Sequence, residues 1–273
     1  MGQPRLYGPE ILHNGDLELG SVSSWYTSAA SGASATLTAN SVDYYSGSYS
    51  MLTTISSIGS GAWNVITTRQ DLYPAKRLGQ GFQYQLSFAA WAGTFTVKSF
   101  QVRIDTASGT SAGLQALTSV GSTSGFEYKS YIFTTSYDAQ IIRFADLAQD
   151  YVDISFDAVS LRACPSFRPG YDYERKQTVQ RRDLRARAGT LHTYVEPNAY
   201  TRFIVPLQWV SAVDRSLVNS WWESGTTLRW VENDDYPGSY YDVRITGTEE
   251  PFTGFHAPYG LTQQMGELVL ETI

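Results

Sequence analysis

The chain has 273 residues, 42% hydrophobic and 17% charged, which gives apolar material for one large or two ordinary domains and excludes a disordered tail. A net charge of −6 argues against a nucleic-acid binder, which carries a basic face, and no apolar run approaches the roughly 20 residues of a membrane span. Cys164 is the only cysteine, so an intrachain disulfide and a cysteine zinc site are both excluded.

In chain order, the start Met1-Gly-Gln-Pro-Arg-Leu lacks the apolar stretch of a secretory signal, which predicts a chain made and kept in the cytosol. The first half then alternates with period two. Tyr84, Leu86, Phe88 and Ala90 share one side of a run that puts Gln83, Gln85, Ser87 and Trp91 on the other. Phe100, Val102 and Ile104 alternate with Gln101, Arg103 and Asp105, and Val152, Ile154 and Phe156 with Asp153, Ser155 and Asp157. Gly/Ser clusters at 108–113 and 121–125 supply the turns. Many short strands without a convincing helix predict a two-sheet jelly-roll sandwich.

Cys164-Pro-Ser-Phe-Arg-Pro-Gly170 breaks regular structure and marks a boundary, giving domains at 8–164 and 165–273. The second half predicts strands at 202–207, 227–231, 240–246 and 266–272. It also predicts one helix over 213–222, opened by Asp214 and ended by Gly225. The expectation is a small β-barrel or sandwich with one short helix, and the whole chain is all-β.

Residues 11–163 resemble the carbohydrate-binding modules of families 4, 9 and 22. The carriers are Asn14-Gly-Asp-Leu-Glu18 with Trp25, Tyr45-Ser-Gly-Ser-Tyr-Ser-Met51, and Val152-Asp-Ile-Ser-Phe-Asp-Ala-Val-Ser-Leu161. The resemblance implies a jelly roll and a structural Ca²⁺ held by Glu18 and Asp157 with backbone carbonyls near Ser46 to Ser48. The alternative is that the two carboxylates only accept strand-end amides. Glycan contact would need aromatic platforms and amides on an exposed sheet face, which nominates Trp63, Gln85, Trp91, Gln101, Arg103 and Tyr131. The alternative for Trp63 and Trp91 is the core or a domain interface.

Catalytic patterns are missing from the sequence. His13, His192 and His256 stand alone, and the adjacent acids Asp234-Asp235 and Glu249-Glu250 lie in turn-like sequence rather than across a cleft. The expectation is a protein that is not an enzyme. In the second half, Arg181, Arg182 and Arg185 face an acidic remainder that includes Glu232 and Glu250. Four of the seven tryptophans, Trp209, Trp221, Trp222 and Trp230, fall close together. Arg181, Arg182, Arg185, Trp221 and Trp222 are therefore candidates for a subunit interface, with a solvated strand edge as the alternative for the arginines.

Residues 168–273 resemble a β-domain of tailed-bacteriophage tail proteins. The carriers are Tyr171-Asp-Tyr, Arg181-Arg with Gly189, Tyr200-x-Arg202-Phe, Val218-Asn-Ser-Trp-Trp222, Gly225-x-x-Leu228, Pro251-Phe252 and the Gly266-Glu-Leu-Val-Leu-Glu-Thr-Ile ending. Together the two resemblances imply a non-enzymatic phage-tail component, located in the virion and assembled in the host cytoplasm. Its partners would be other tail subunits, in or on a homo-oligomeric ring, and cell-surface polysaccharide, with no nucleic acid and no membrane insertion. The competing reading is a non-catalytic polysaccharide-binding protein of a secreted glycan-degrading system.

Overall fold

The structure is a computed structural model. It describes all residues except 1, 30–31, 58–65, 93–97, 122–124, 147–152, 168, 170–171, 179–180, 186–190, 196–199, 237, 248, 253 and 256–262. Side chains at 98, 146, 178, 181–185, 191–195, 209, 254–255 and 263–264 also lie outside the described set. The chain divides into two compact units, Glu10–Ala163 and a second made of Met1–Pro9 with Cys164–Ile273.

The second unit therefore owns the first strand, β1 (Arg5–Tyr7). The first unit follows with β2 (Tyr26–Ala29), β3 (Ser34–Asn40), β4 (Ser50–Ser57), β5 (Ile66–Asp71) and β6 (Gln83–Trp91). It continues with β7 (Lys98–Asp105), β8 (Ser111–Val120), β9 (Glu127–Thr134), β10 (Ile141–Asp146) and β11 (Ile154–Ala163). These form two five-stranded antiparallel sheets, β2-β5-β10-β7-β8 and β3-β4-β11-β6-β9. The chain crosses repeatedly from one sheet to the other, which makes a jelly-roll sandwich.

The period-two pattern of the sequence is what fills its core. Phe88 of β6, Phe100 of β7, Phe144 of β10 and Phe156 of β11 are almost fully buried, with neighbouring ring centroids between 4.3 and 6.2 Å apart. The Thr53 and Thr68 hydroxyls hydrogen-bond across the same interior at 2.8 Å, so neither is a buried unpaired group.

The residues behind the module resemblance do structural work. Gly15 lies where an added Cβ would sit 2.1 Å from the Val159 carbonyl oxygen, so only glycine allows the first loop to approach β11. There β11 carries a bulge between Asp157 and Ser160, with Ala158 at φ 48°. The Asn14 side chain donates to the Ser21 carbonyl and accepts from the Leu19 N–H, and Trp25 Nε1 donates to the Asn14 carbonyl. Trp25 then stacks on Phe144.

The second unit adds β12 (Glu174–Thr178), β13 (Arg181–Arg185), β14 (Leu191–Val195), β15 (Tyr200–Ser211), α1 (Ala212–Ser224), β16 (Leu228–Val231), β17 (Tyr241–Thr246), β18 (Gly254–Phe255) and β19 (Gln263–Thr272). One sheet runs β1-β16-β17-β19-β15-β12, with β18 also on β19, while β13 and β14 pair as a separate hairpin. Tyr173, just before β12, donates to Glu232, just after β16, at 2.7 Å, and its ring meets Trp230 at 5.5 Å. Arg175 of β12 also reaches Glu232 and lies over Tyr241 of β17. Three strands separate β12 from β16 in the sheet, so the sheet bends until its flanks touch, a barrel-like closure.

Helix α1 corrects one expectation. Its N-cap is Ser211, whose hydroxyl accepts from Asp214 N–H, while buried Asp214 at the third helical position accepts from the Ser211 hydroxyl and from the Ser166 amide and hydroxyl. Gly225 ends the helix in the left-handed region at φ 58°.

Candidate ligand-binding cleft

The nominated glycan residues do not form one face. Gln85 and Trp91 sit on the outer side of β6, as the alternation requires, and Gln85 Nε2 donates to Ser130 Oγ of β9 at 2.8 Å. Gln101 and Arg103 sit on the outer side of β7, which belongs to the other sheet. Strand alternation gives inside against outside but not the sheet, and consecutive strands here change sheets. Tyr131 is a correction: it alternates with exposed Tyr128, Ser130 and Ile132, points inward and stacks on Phe88 at 6.2 Å. Trp63 lies outside the described residues.

Beside Trp91 the first unit opens a cleft of about 360 Å³ lined by Val42, Asp43, Tyr44, Tyr45, Trp91 and Phe126. A chain of rings crosses it. Tyr128 stacks with Tyr45 at 6.3 Å, Tyr45 meets Phe126 at 6.3 Å, and Phe126 meets Trp91 at 5.9 Å. Tyr44 and Tyr45 are 45% and 48% exposed, a large outlay of aromatic surface to water for a module with a well-filled core. Among the described residues the shielded Trp91 indole N–H has no hydrogen-bond partner. Rings with a few polar groups are the lining that sugar sites use.

Glu18 and Asp157 do not line this cleft but hold the turn that does. Asp157 is fully buried, and its Oδ2 accepts the Tyr45 and Ser46 amides at 2.7 and 3.0 Å while Oδ1 accepts Ala158 N–H. Glu18 accepts the Ser48 amide on both oxygens and Tyr49 N–H on Oε1. Gly47, at φ 69°, leaves room for this, since a Cβ there would fall 2.2 Å from the Glu18 carboxylate. The turn that carries Tyr44 and Tyr45 is thus held from beneath by two carboxylates.

Burial pushes the Asp157 carboxyl above its ordinary value; the amides from Ser46, Tyr45 and Ala158 oppose that shift, and the Glu18 charge adds to it. Two mutually repelling carboxylates of hard oxygens fit a divalent cation in donor chemistry, though all four oxygens already accept amide N–H groups. Among the described residues no third acidic, histidine or cysteine side chain joins them.

In the second unit, Arg181, Arg182 and Arg185 lie on the β13–β14 hairpin, and their side chains are outside the described residues, as is that of Trp209. Trp221 is a correction, since it is 7% exposed and packs inside its own unit, as does Trp230. Trp222 is half-buried and donates its Nε1 to the Gly247 carbonyl at 3.2 Å. The acids are engaged locally as well: Glu232 with Tyr173 and Arg175, Asp234 with Arg5, and Glu250 with Arg215 and Asn219. Arg215 and Asn219 hold the Glu250 carboxyl below its ordinary value.

Sequence reasoning missed Tyr44, Phe126 and Tyr128. Tyr44 adjoins the Tyr45–Met51 segment quoted for the module resemblance, and the Gly125 turn before Phe126 was the available signal.

The chain matches no known protein-family profile and no curated protein sequence. Among solved structures it is similar to the enzymatically active domain of bacteriophage CBA120 tailspike protein 4, at 16% identity and TM-score 0.45, over 56% of this chain and 21% of the tailspike. It is similar to the CBM22-1 xylan-binding domain from Paenibacillus barcinonensis Xyn10C, at 15% identity and TM-score 0.40, over 57% of this chain and 95% of that domain. It is also similar to the C-terminal family 22 carbohydrate-binding module of Clostridium thermocellum Xyn10B, at 20% identity and TM-score 0.40, over 58% of this chain and 99% of that module.

Proposed function

We propose that the chain is a non-enzymatic structural component of a bacteriophage tail whose first unit contacts host-surface glycan through the Trp91–Phe126–Tyr45 cleft. The observation that carries the glycan part is the cleft itself: the rings of Tyr45, Phe126 and Trp91 in series at one open site, continued by Tyr128, with Tyr44 beside them and both cleft tyrosines nearly half exposed. Sugar rings present C–H faces to such platforms and hydroxyls to the surrounding polar groups. Ca²⁺, held by Glu18 and Asp157, belongs to the same reading, and its contribution is structural: it would lock the Tyr44–Tyr45 turn.

Non-catalysis is supported by the geometry of the raised carboxyl. Asp157 is closed off beneath the turn, whereas a glycosidase acid has to reach the substrate oxygen. The tail assignment of the second unit rests on the pattern of residues 168–273, and the partners are tail subunits.

Titration of the whole chain with a panel of bacterial surface polysaccharides tests the glycan reading. Binding should appear for at least one, and Trp91→Ala and Tyr45→Ala should each weaken it about tenfold or more, the loss of one stacking contact of about 1.4 kcal/mol. Absence of binding across the panel, or binding indifferent to both variants, overturns it. Labelling of intact particles with antibody against residues 164–273 tests the tail reading, and unlabelled particles would count against it.

A further inference from the structure

The outer face of the other sheet carries a row of arginines with fewer carboxylates than guanidiniums. Its register places Tyr26 of β2 opposite Arg69 of β5, Arg69 opposite Arg143 of β10, Arg143 opposite Arg103 of β7, and Arg103 opposite Gln115 of β8. Three guanidiniums thus stand side by side across three adjacent central strands. Like charges directly opposite on neighbouring strands are destabilising, so the row needs anionic compensation.

One carboxylate serves two of them. Asp105, fully buried, accepts from Arg103 at 3.0 Å and from Arg143, and the Gly109 carbonyl accepts from both at 3.1 and 3.2 Å. These contacts use Nε and Nη2 of each arginine, and Nη1 of each makes no hydrogen bond among the described residues. Arg69 has no carboxylate partner among the described residues. It lies over the Tyr26 ring at 4.7 Å, and its Nε is shielded and unpaired. Asp71, the nearest acid on its strand, is taken by the Tyr26 hydroxyl at 2.6 Å.

We propose that this face binds an anionic glycan, a polymer bearing carboxylate or phosphate groups, with Arg69, Arg143 and Arg103 as the anion contacts and Tyr26, Gln101 and Gln115 as neutral neighbours. Guanidinium forks match carboxylate and phosphate oxygens, and preset side chains lose little freedom on binding. Neighbouring strands are about 4.8 Å apart, so Arg69 and Arg103 are separated by about 10 Å, a span for successive charges on a linear polymer. A neutral glucan would find a poor platform, because the one ring in this row, Tyr26, lies beneath Arg69. The site is separate from the aromatic cleft, which belongs to the opposite sheet, and its ligand chemistry differs.

The test is titration of the full-length chain with a polyuronate, with a polyol-phosphate polymer of the teichoic-acid kind, and with a neutral xylan. At least one anionic polymer should bind, more weakly as salt rises, and about tenfold or more tighter than xylan. Which of the two binds identifies carboxylate or phosphate as the charge. Arg69→Gln removes a guanidinium without breaking an ion pair and should weaken the anionic polymer about five- to tenfold while the chain stays folded, with a melting temperature lowered only by the loss of the Tyr26 contact. Arg143→Lys keeps the charge, loses the fork and should also weaken it. No anionic binding, binding unchanged in Arg69→Gln, or binding lost in Trp91→Ala but kept in Arg69→Gln would each overturn the proposal. Failure of the cleft reading registers separately, as binding that ignores Trp91→Ala and Tyr45→Ala.

Discussion

Cys164 is buried against Tyr7 and Val231, and burial pushes its thiol up to about 12, so no reactive thiolate forms near neutrality. Native protein should therefore resist a thiol-alkylating reagent at about pH 8 and react stoichiometrically once unfolded; rapid labelling of native protein would contradict this burial. Asp157 and Glu18 act at the same scale on the cleft. If they hold Ca²⁺, a chelator should lower the melting temperature of the chain, and Asp157→Asn should abolish that response. The same variant should weaken glycan binding with Trp91 intact, because Tyr45 loses an amide anchor. A melting curve indifferent to chelator leaves the amides as the only partners of the pair and removes the cation from the reading. The resemblance set both carboxylates beside the 45–49 turn, and each does accept N–H groups from that turn. Of the two roles left open there, cation ligand or acceptor of strand-end amides, the amide contacts are present, and they depend on local φ and ψ, here including left-handed Gly47.

At the scale of elements, the strands were legible because alternation is a local property. Gln83–Trp91 and Lys98–Asp105 carry their apolar residues inward as the pattern requires. The cap of α1 was misplaced by three residues, because Ser211 and Asp214 are both good capping residues and only the backbone decides which one leaves the helix. Ser211→Ala should destabilise the second unit by about 1 kcal/mol, read as a lower denaturation midpoint, and Asp214→Ala by more, because it also strands the Ser166 amide. Equal and negligible effects would show that the helix start carries no stability. In the sandwich, Phe156→Ala should cost about 3–5 kcal/mol through the cavity it leaves among Phe88, Phe100 and Phe144.

At the scale of the whole molecule, the second unit is closed by a strand from the opposite end of the chain. Arg5, Leu6 and Tyr7 pair with Val231, Trp230 and Arg229, and Asp234 accepts Gln3 N–H and Arg5 Nε at 2.7 Å each. Deleting residues 1–9 should lower the melting temperature of that unit while leaving residues 10–163 unaffected. A chain whose melting is unchanged by the deletion would show that β1 contributes nothing. No release of reducing ends from polysaccharides is expected from the full chain, and reproducible hydrolysis would overturn the non-enzymatic reading.

The sequence by itself determined the all-β character, the inward residues of the strands and the turn-forming glycines, because each depends on side-chain period or a local φ. The resemblance of residues 11–163 also rested on something local, a set of close approaches such as Gly15 against Val159 that tolerate few residue types. Only the tertiary structure decided which outward residues share a face. Alternation cannot tell one sheet of a sandwich from the other, so Trp91 and Arg103 went to different sheets, while Arg69, Arg143 and Arg103, which are far apart in sequence, came into one row through antiparallel register. Tertiary structure also decided that the first strand belongs to the last domain, since backbone pairing between Arg5–Tyr7 and Arg229–Val231 leaves no mark in either segment alone.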